Sequence, residues 1–390
     1  MKAVRFFFSI LCIGISSVVS AQNLRDINYS YLYNGSTGFS FDLAPIRQTD
    51  GWTVFFRLQL SDTTYSINAY TIQWDKREQL TDKEGSTISS DQITLASAKL
   101  SQTGNLKFGL STNQQIIVAK VINNTTKRAW IFYTVLFPDH SVNSYLQSAD
   151  GDFIFEPYIN VNKSVALHGF KEDESVIVSY YNDAFPAAAP AFSEGLARVN
   201  AAIKPDSIFT LTNAQLTSFS KKGLYLVQKD TTTVEGFAFR VEDGYPKFKH
   251  IQDLVGPFVY VCAKDEYDKL RMAGNDKKQF DKNVLAITRD TDRAREFMKT
   301  YFNRAEVANH LFTSYKEGWK TDRGMTYLIY GPPPTVYKFA DREVWSYGRT
   351  DFSFAKSSTL FDPDNYVLIR NKKYATEWYE KVDLIRNSRF

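Results

Sequence analysis

The chain has 390 residues, 43% of them apolar, with 47 Lys and Arg against 43 Asp and Glu. That composition excludes whole-chain disorder, and the near-neutral balance excludes the dense positive charge that a nucleic-acid partner demands. Thirty Phe, 23 Tyr and 6 Trp favour half-buried pleated surfaces, so strand-rich architecture in two or three domains is the first expectation.

Lys2 and Arg5 precede an apolar run from Phe6 to Ile15, and Val19-Ser20-Ala21 offers small residues before Gln22. This pattern reads as a cleaved secretory signal over residues 1–21, placing the protein in the periplasm, at the outer membrane or at the cell surface. Cys12 follows Leu11 inside the apolar run, an arrangement unlike a lipoprotein cleavage site. After cleavage Cys262 stands alone, so stability rests on packing and not on an intrachain disulfide. No later stretch is long and apolar enough for a spanning helix, so no integral span is expected in the mature chain.

From residue 22 to 160 the pattern is alternating strands cut by turn residues. Trp52, Val54, Phe56, Leu58 and Leu60 alternate with polar or outward positions, as do Tyr70, Ile72 and Trp74. Ile116 to Ile122, Asn123-Asn124-Thr125-Thr126 and Ala129 to Phe137 predict a hairpin, and the two-sided apolarity of its second strand predicts a central sheet position. The stretch is assigned an immunoglobulin-like β-sandwich without the antibody cysteine pair. A transmembrane barrel, the competing use of alternating strands, does not accommodate the helical pattern beyond residue 250.

Residues 161–249 predict a second β-sandwich, with strands at Ser175 to Tyr181, Ser207 to Thr212, Gly223 to Val227 and Gly236 to Val241. The segment Phe185-Pro186-Ala187-Ala188-Ala189-Pro190-Ala191-Phe192 cannot sit in a central ladder, because its prolines lack donors. It reads as an edge crossover or binding lip, or as a loop packing on its own domain.

After residue 250 the period changes. Lys264 to Ala273 predicts a helix stopping at Gly274, and a second begins after Asn275 or Asp276 with Phe280, Val284 and Leu285 inward. Phe297, Tyr301, Ala305, Ala308, Leu311 and Phe312 mark one face of a longer helix. Met325 to Tyr330 and Glu343 to Tyr347 predict a return to strand. The tail from 351 to 390 groups Tyr374, Trp378 and Tyr379 as on a short helix or arm that docks on the module or on a partner.

The densest signal is Gly318-Trp319-Lys320-Thr321-Asp322-Arg323-Gly324, followed by Tyr330-Gly331-Pro332-Pro333-Pro334 and Trp345. With Asp253-Leu254, Tyr267, Asp281, Arg289-Asp290 and Arg304 to Asn309, it resembles the GWxTD domain over residues 250–350. That family is a C-terminal module of secreted proteins, chiefly of Bacteroidetes and related bacteria, with no established biochemical activity. Val284-Leu285 and Asp290-Thr291 depart from its frequent aromatic pair and Asp-Pro step. The whole chain is therefore read as mainly β with a C-terminal α+β module: two immunoglobulin-like sandwiches followed by a GWxTD domain.

Physically, Gly318 reads as a left-handed helix exit, Trp319 as an anchor, Thr321 and Asp322 as turn acceptors, and Gly324 as the opening of a strand. Gly331 and its prolines read as a turn at that strand's end, and Trp345 as a cross-sheet contact. A chemical reading would set Asp322 and Arg323 beside an aromatic cleft, with Glu317 or Glu343 as a second carboxylate. His140, His168, His250 and His310 stand singly without ligand spacing, and no nucleophile elbow or phosphate loop is present. No catalytic, metal or cofactor residue is therefore assigned.

Asp62-Thr63-Thr64, Asp206-Ser207-Ile208 and Asp230-Thr231-Thr232 resemble the O-glycosylation sequon of Bacteroidetes, making Thr63, Ser207 and Thr231 candidate acceptors. The expected function is a non-enzymatic scaffold or binding protein of the cell envelope with a protein partner. The alternative is a glycan- or ligand-binding module, or an enzyme, using an aromatic cleft around Trp319, Trp345 and Trp378.

Overall fold

The computed structural model describes residues 23–139, 142–171, 173–182, 185–194 and 203–390. Residues 1–21, predicted as a signal segment, and His140 lie outside the described residues.

Eight strands form the first sandwich: β1 (Phe39–Arg47), β2 (Gly51–Leu60), β3 (Tyr70–Arg77), β4 (Ser86–Thr87), β5 (Ile93–Ser97), β6 (Ser101–Gly109), β7 (Gln115–Asn123) and β8 (Ala129–Leu136). They pair as two antiparallel sheets, β1-β2-β6-β5 and β4-β3-β7-β8. Trp52, Val54, Phe56, Leu58 and Leu60 of β2 are all buried between them against Trp74, Leu106 and Val121. Each fully buried aliphatic side chain here contributes about 2 kcal/mol. The β7–β8 connection is set by Asn123, whose Oδ1 accepts from the Thr125 and Thr126 amides at 3.0 Å each.

Strand β8 is at the edge of its sheet and not central. Its second apolar face is covered by a non-strand segment instead. The N-terminal arm lays Tyr29 edge-on to Tyr133 and puts the Tyr31 hydroxyl on the Ile131 carbonyl. The same hydroxyl accepts from the Ile131 amide at 3.2 Å, so the arm satisfies part of an otherwise open edge.

The second sandwich contains β9 (Tyr145–Ser148), β10 (Tyr158–Asn160), β11 (Val165–His168), β12 (Ser175–Tyr181), β13 (Ser207–Thr212), β14 (Leu216–Thr217), β15 (Gly223–Gln228) and β16 (Phe237–Glu242). The sheets β14-β11-β9 and β10-β16-β15-β12-β13 close over Val165, Leu167, Val178, Tyr225, Val227 and Phe239. Pairings are antiparallel except β10 with β16, which run parallel. Strands β9 and β10, placed with the first sandwich by a boundary at 160, pair within the second.

The C-terminal module has α1 (Ile251–Val255), α2 (Lys264–Ala273), α3 (Lys277–Thr288), α4 (Thr291–Phe312) and α5 (Asp322–Tyr330). An antiparallel sheet β17 (Thr335–Lys338), β18 (Arg342–Ser346), β19 (Asp351–Lys356) and β20 (Tyr366–Leu368) and helix α6 (Ala375–Arg386) complete it. Asp276 caps α3 by accepting from the Gln279 amide, and Phe297, Tyr301, Ala305, Ala308 and Phe312 form the buried face of α4. Leu285 is exposed, not inward. No helix among the described residues is long and apolar enough to cross a membrane.

Two expectations are corrected here. Residues 325–330 are helical, not a strand: Thr321 caps the helix, and α5 is buried on every side, so its continuous apolar run carries no period that would separate helix from strand. The boundary at 350 also moves, since β19, β20 and α6 are integral to the module's sheet and core, and of the two expectations for the tail the structure shows docking on the module.

Candidate functional site

The signature segment is a tight turn threaded under the C-terminal end of α4. Gly318 opens a short 3-10 turn, Gly318–Lys320, where a Cβ would lie 2.0 Å from the Ala308 carbonyl oxygen. At Gly324 a Cβ would lie 1.9 Å from the Gly318 carbonyl oxygen. Both glycines are therefore required by close backbone approach, and neither provides a left-handed exit or opens a strand. Thr321 joins them, donating to the Gly318 carbonyl at 2.8 Å and accepting the Gly324 amide at 3.0 Å as the N-cap of α5.

Trp319 is 7% exposed, edge-on to Tyr260, with its amide donating to Asn309 Oδ1 at 3.2 Å. Asn309 is buried within the α4 stripe, and its Nδ2 donates to the Pro246 carbonyl at 3.0 Å. A polar residue inside an apolar helical face was the available sequence signal for this clasp.

Asp322 and Arg323 point to different neighbours and do not form a pair. Asp322 accepts the Leu368 amide at 2.9 Å and pairs with Arg370, tying the start of α5 to β20. Arg323 reaches Glu343 at 3.7 Å and lies over the rings of Tyr366 at 4.2 Å and Phe312 at 5.3 Å. Glu343, 1% exposed, accepts from the Tyr33 hydroxyl at 2.7 Å and from Trp345 Nε1. Burial alone would lower the Arg323 affinity for its proton, but Tyr33 and Glu343 outweigh it and hold the guanidinium above its ordinary value.

Glu317 belongs to another cluster. It lies 2.8 Å from Lys320 and 3.8 Å from Arg240, which is itself paired with Glu242. Burial opposes ionisation of Glu317, yet Arg240 and Lys320 keep its carboxyl below the ordinary range. Burial raises that of Glu242, against the pull of Arg240.

Gly331 ends α5, and not a strand, at φ 79°, and Pro332 beside it is exposed. Tyr330 is buried against Phe352, and Trp345 is fully buried between Phe312, Phe354 and Tyr33. Trp378 is also buried, so Trp319, Trp345 and Trp378 form no exposed platform. Burial pushes the Cys262 thiol up to about 12, the state of an inert packing residue. Thr63, Ser207 and Thr231 are exposed, the first and last in turns where Asp62 and Asp230 accept from the Thr64 and Thr232 amides at 2.8 Å.

Three segments distant in sequence complete this core. In the arm, the Tyr29 amide donates to the Val336 carbonyl at 2.9 Å and Asn28 Oδ1 accepts the Val336 amide at 2.9 Å. The proline-containing strap bridges its own sandwich and the module: Phe185 is buried with Tyr181, Leu224 and Leu226 of the second sandwich and also meets Tyr315, whereas Phe192 meets Trp378 and the Ala188 amide donates to the Lys320 carbonyl at 2.9 Å. The tail brings Arg370 and Trp378.

Two clefts flank the turn. One of about 360 Å³ lies beside Trp319, Lys320, Glu317 and Glu242 under the strap; the other, of about 320 Å³, is reached by Thr321 and Arg323.

Comparison with known families matches the GWxTD domain over residues 223–387. No curated protein matches the chain. Among solved structures, a chimeric titin tandem functionalized with a GRGDS peptide from fibronectin is 12% identical, with 52% of this chain and 97% of that chain covered and a TM-score of 0.19. An I-band fragment of titin is 14% identical, with 53% of this chain and 65% of that chain covered and a TM-score of 0.17. Each sandwich is defined by its own two facing sheets.

Proposed function

This chain is a GWxTD-domain protein, its domain spanning residues 223–387, and from that premise we propose that it is a non-enzymatic scaffold or binding protein of the bacterial cell envelope that engages another outer-membrane or periplasmic protein. The observation that supports this reading is the use to which the signature is put. Thr321, Asp322, Glu317 and Glu343 each hold the turn, the tail or the arm in place. Groups spent on internal bonds are poorly placed to move protons to a substrate. The export pattern of residues 1–21 supplies the compartment, and two sandwiches joined to one module supply a large surface for protein contact.

The alternative of a glycan- or ligand-binding site in an aromatic cleft is weakened by the burial of Trp345 and Trp378. For that cleft, the part that remains is the space beside Trp319. Thr63, Ser207 and Thr231 are proposed as glycan acceptors, and intact-mass measurement of native protein before and after Thr231→Ala tests one of them directly.

The test of function is capture of the tagged, processed protein from gently solubilised native envelopes, with crosslinking mass spectrometry. A stoichiometric envelope protein crosslinked to defined residues is the expected result. Recovery of the protein alone, together with turnover of a small substrate, would contradict the proposal.

A further inference from the structure

The 320 Å³ cleft lies where all three parts of the molecule meet, with Ile46 from the first sandwich, Phe155 and Phe237 from the second, and Phe361 from the module on its walls. Its volume suits one large side chain together with its peptide group, at the small end of ordinary ligand sites.

The polar groups in these walls are incompletely used. Arg323 carries five N–H donors, and its closest carboxylate oxygen, on Glu343, is 3.7 Å away, beyond hydrogen-bonding distance. Among the described residues Arg323 is held by that ion pair and by the rings of Tyr366 and Phe312, without a hydrogen bond, although its side chain is only 21% exposed. Ser314 Oγ, also in the cleft wall, is buried with no hydrogen-bond partner among the described residues. Donors left this way in a part-buried place cost free energy that a ligand acceptor would recover.

Arg323 and three carboxylates, Glu156, Asp362 and Asp364, line the cleft. Two of the carboxylates are matched by cations outside the lining, Glu156 by Arg57 at 2.6 Å and Asp364 by Lys356 at 2.5 Å, which leaves Arg323 to balance Asp362. Asp362 supplies an acceptor in the same wall, its carboxyl pushed up to about 6 by burial and by Asp364. A cleft with donors, an acceptor, apolar walls and little excess charge is matched to a neutral group that both accepts and donates and carries an apolar body. A peptide unit with an aromatic or branched side chain has that combination.

We propose that this cleft binds an extended apolar peptide segment of a partner protein, with a backbone carbonyl accepting from Arg323, a backbone amide donating to Asp362, and one apolar side chain seated between Phe155 and Phe361. The proposal rests on the partner-binding reading above and names the chemistry by which the partner is recognised.

The test is calorimetric titration of the whole processed chain with acetyl-Ala-Phe-Ala-amide, with the Asp- and Lys-centred analogues as controls. Leu360 lines the cleft and is 37% exposed, so Leu360→Trp fills the space without opening the core, and an unchanged melting temperature verifies the fold. Saturable binding of the Phe peptide, weakened at least about tenfold by Leu360→Trp and absent for the charged analogues, is the expected result. No saturable binding, equal binding of all three peptides, or unchanged affinity in Leu360→Trp would overturn it. Envelope capture with the same variant separates the two readings. A partner recovered by the unsubstituted chain and lost with Leu360→Trp supports the cleft. Equal recovery by both overturns the cleft assignment and leaves the scaffold reading standing, whereas peptide binding with no partner recovered supports the cleft chemistry and overturns the scaffold reading.

Discussion

The first sandwich and the C-terminal module reach burial by opposite routes. The core of the sandwich comes almost wholly from strands within residues 39–136, alternating one residue in and one out. The module's core draws Leu24, Tyr29 and Tyr33 from the arm, Ala191 from the strap, and Tyr374, Trp378 and Ile385 from the tail. A local core tolerates damage elsewhere in the chain, whereas a core assembled from distant segments couples the folding of all of them. The signature turn lies at the centre of the second kind, which gives a physical reason for its unusual density of glycine, tryptophan and capping residues.

The largest expected effect is at the turn glycines. Gly324→Ala sets a Cβ against the Gly318 carbonyl, where no flexible side chain can yield, and a loss of several kcal/mol or failure to fold is expected, by denaturant unfolding. Leu58→Ala in the sandwich, a cavity without a backbone clash, is expected to cost about 3 kcal/mol. If Gly324→Ala were as stable as the unsubstituted chain, the close-approach account of the turn would be wrong.

Next in size is the arm. Tyr33→Phe removes the hydroxyl that Glu343 accepts from and is expected to cost about 1–3 kcal/mol. Hydrogen exchange should show the loss in β17, β18 and α5 while β2 and β6 keep their protection. Uniform loss across both regions would erase the contrast drawn between them.

A smaller effect has a defined sign with pH. The folded-state pKa of Asp362 is raised from 3.8 to about 6, by burial and then by Asp364, with Arg323 and Lys356 pulling the other way. A raised carboxyl favours the protonated fold, so this contribution is complete below about pH 4 and is lost as pH rises through about 6. Asp362→Asn is therefore expected to stabilise the protein near neutral pH by up to about 3 kcal/mol, with no gain below about pH 4. Equal gains at both ends of that window would assign the effect to packing instead. The smallest change is expected for Thr231→Ala, exposed in its turn, within about 0.5 kcal/mol in unglycosylated protein.

The same contrast explains what was legible in the chain. Period-two alternation exposed β2 and β3 because their neighbours are other strands of the same domain. It misled at β8, whose second apolar face is covered by Tyr29 and Tyr31 from an irregular segment that leaves no periodic trace. It also failed at residues 325–330, where burial on all sides removes the period itself. The signature residues were visible as a cluster, but their bonds were not: Asp322 with Arg370, Glu343 with Tyr33, and Glu317 with Arg240 span separations that only the folded chain closes. Asn309, a polar residue within an apolar stripe, carried a readable signal of a buried contact that the periodicity reading passed over.

The central claim, that the turn around Trp319 is a folding element and not a contact surface, is tested most directly by Trp319→Ala in the whole processed chain. Thermal unfolding and envelope capture below the melting temperature should be measured on the same preparation. The account expects a loss of about 3 kcal/mol or more in stability, with partner capture retained while the protein stays folded. An unchanged melting temperature with capture abolished would contradict it and make Trp319 a residue that touches the partner.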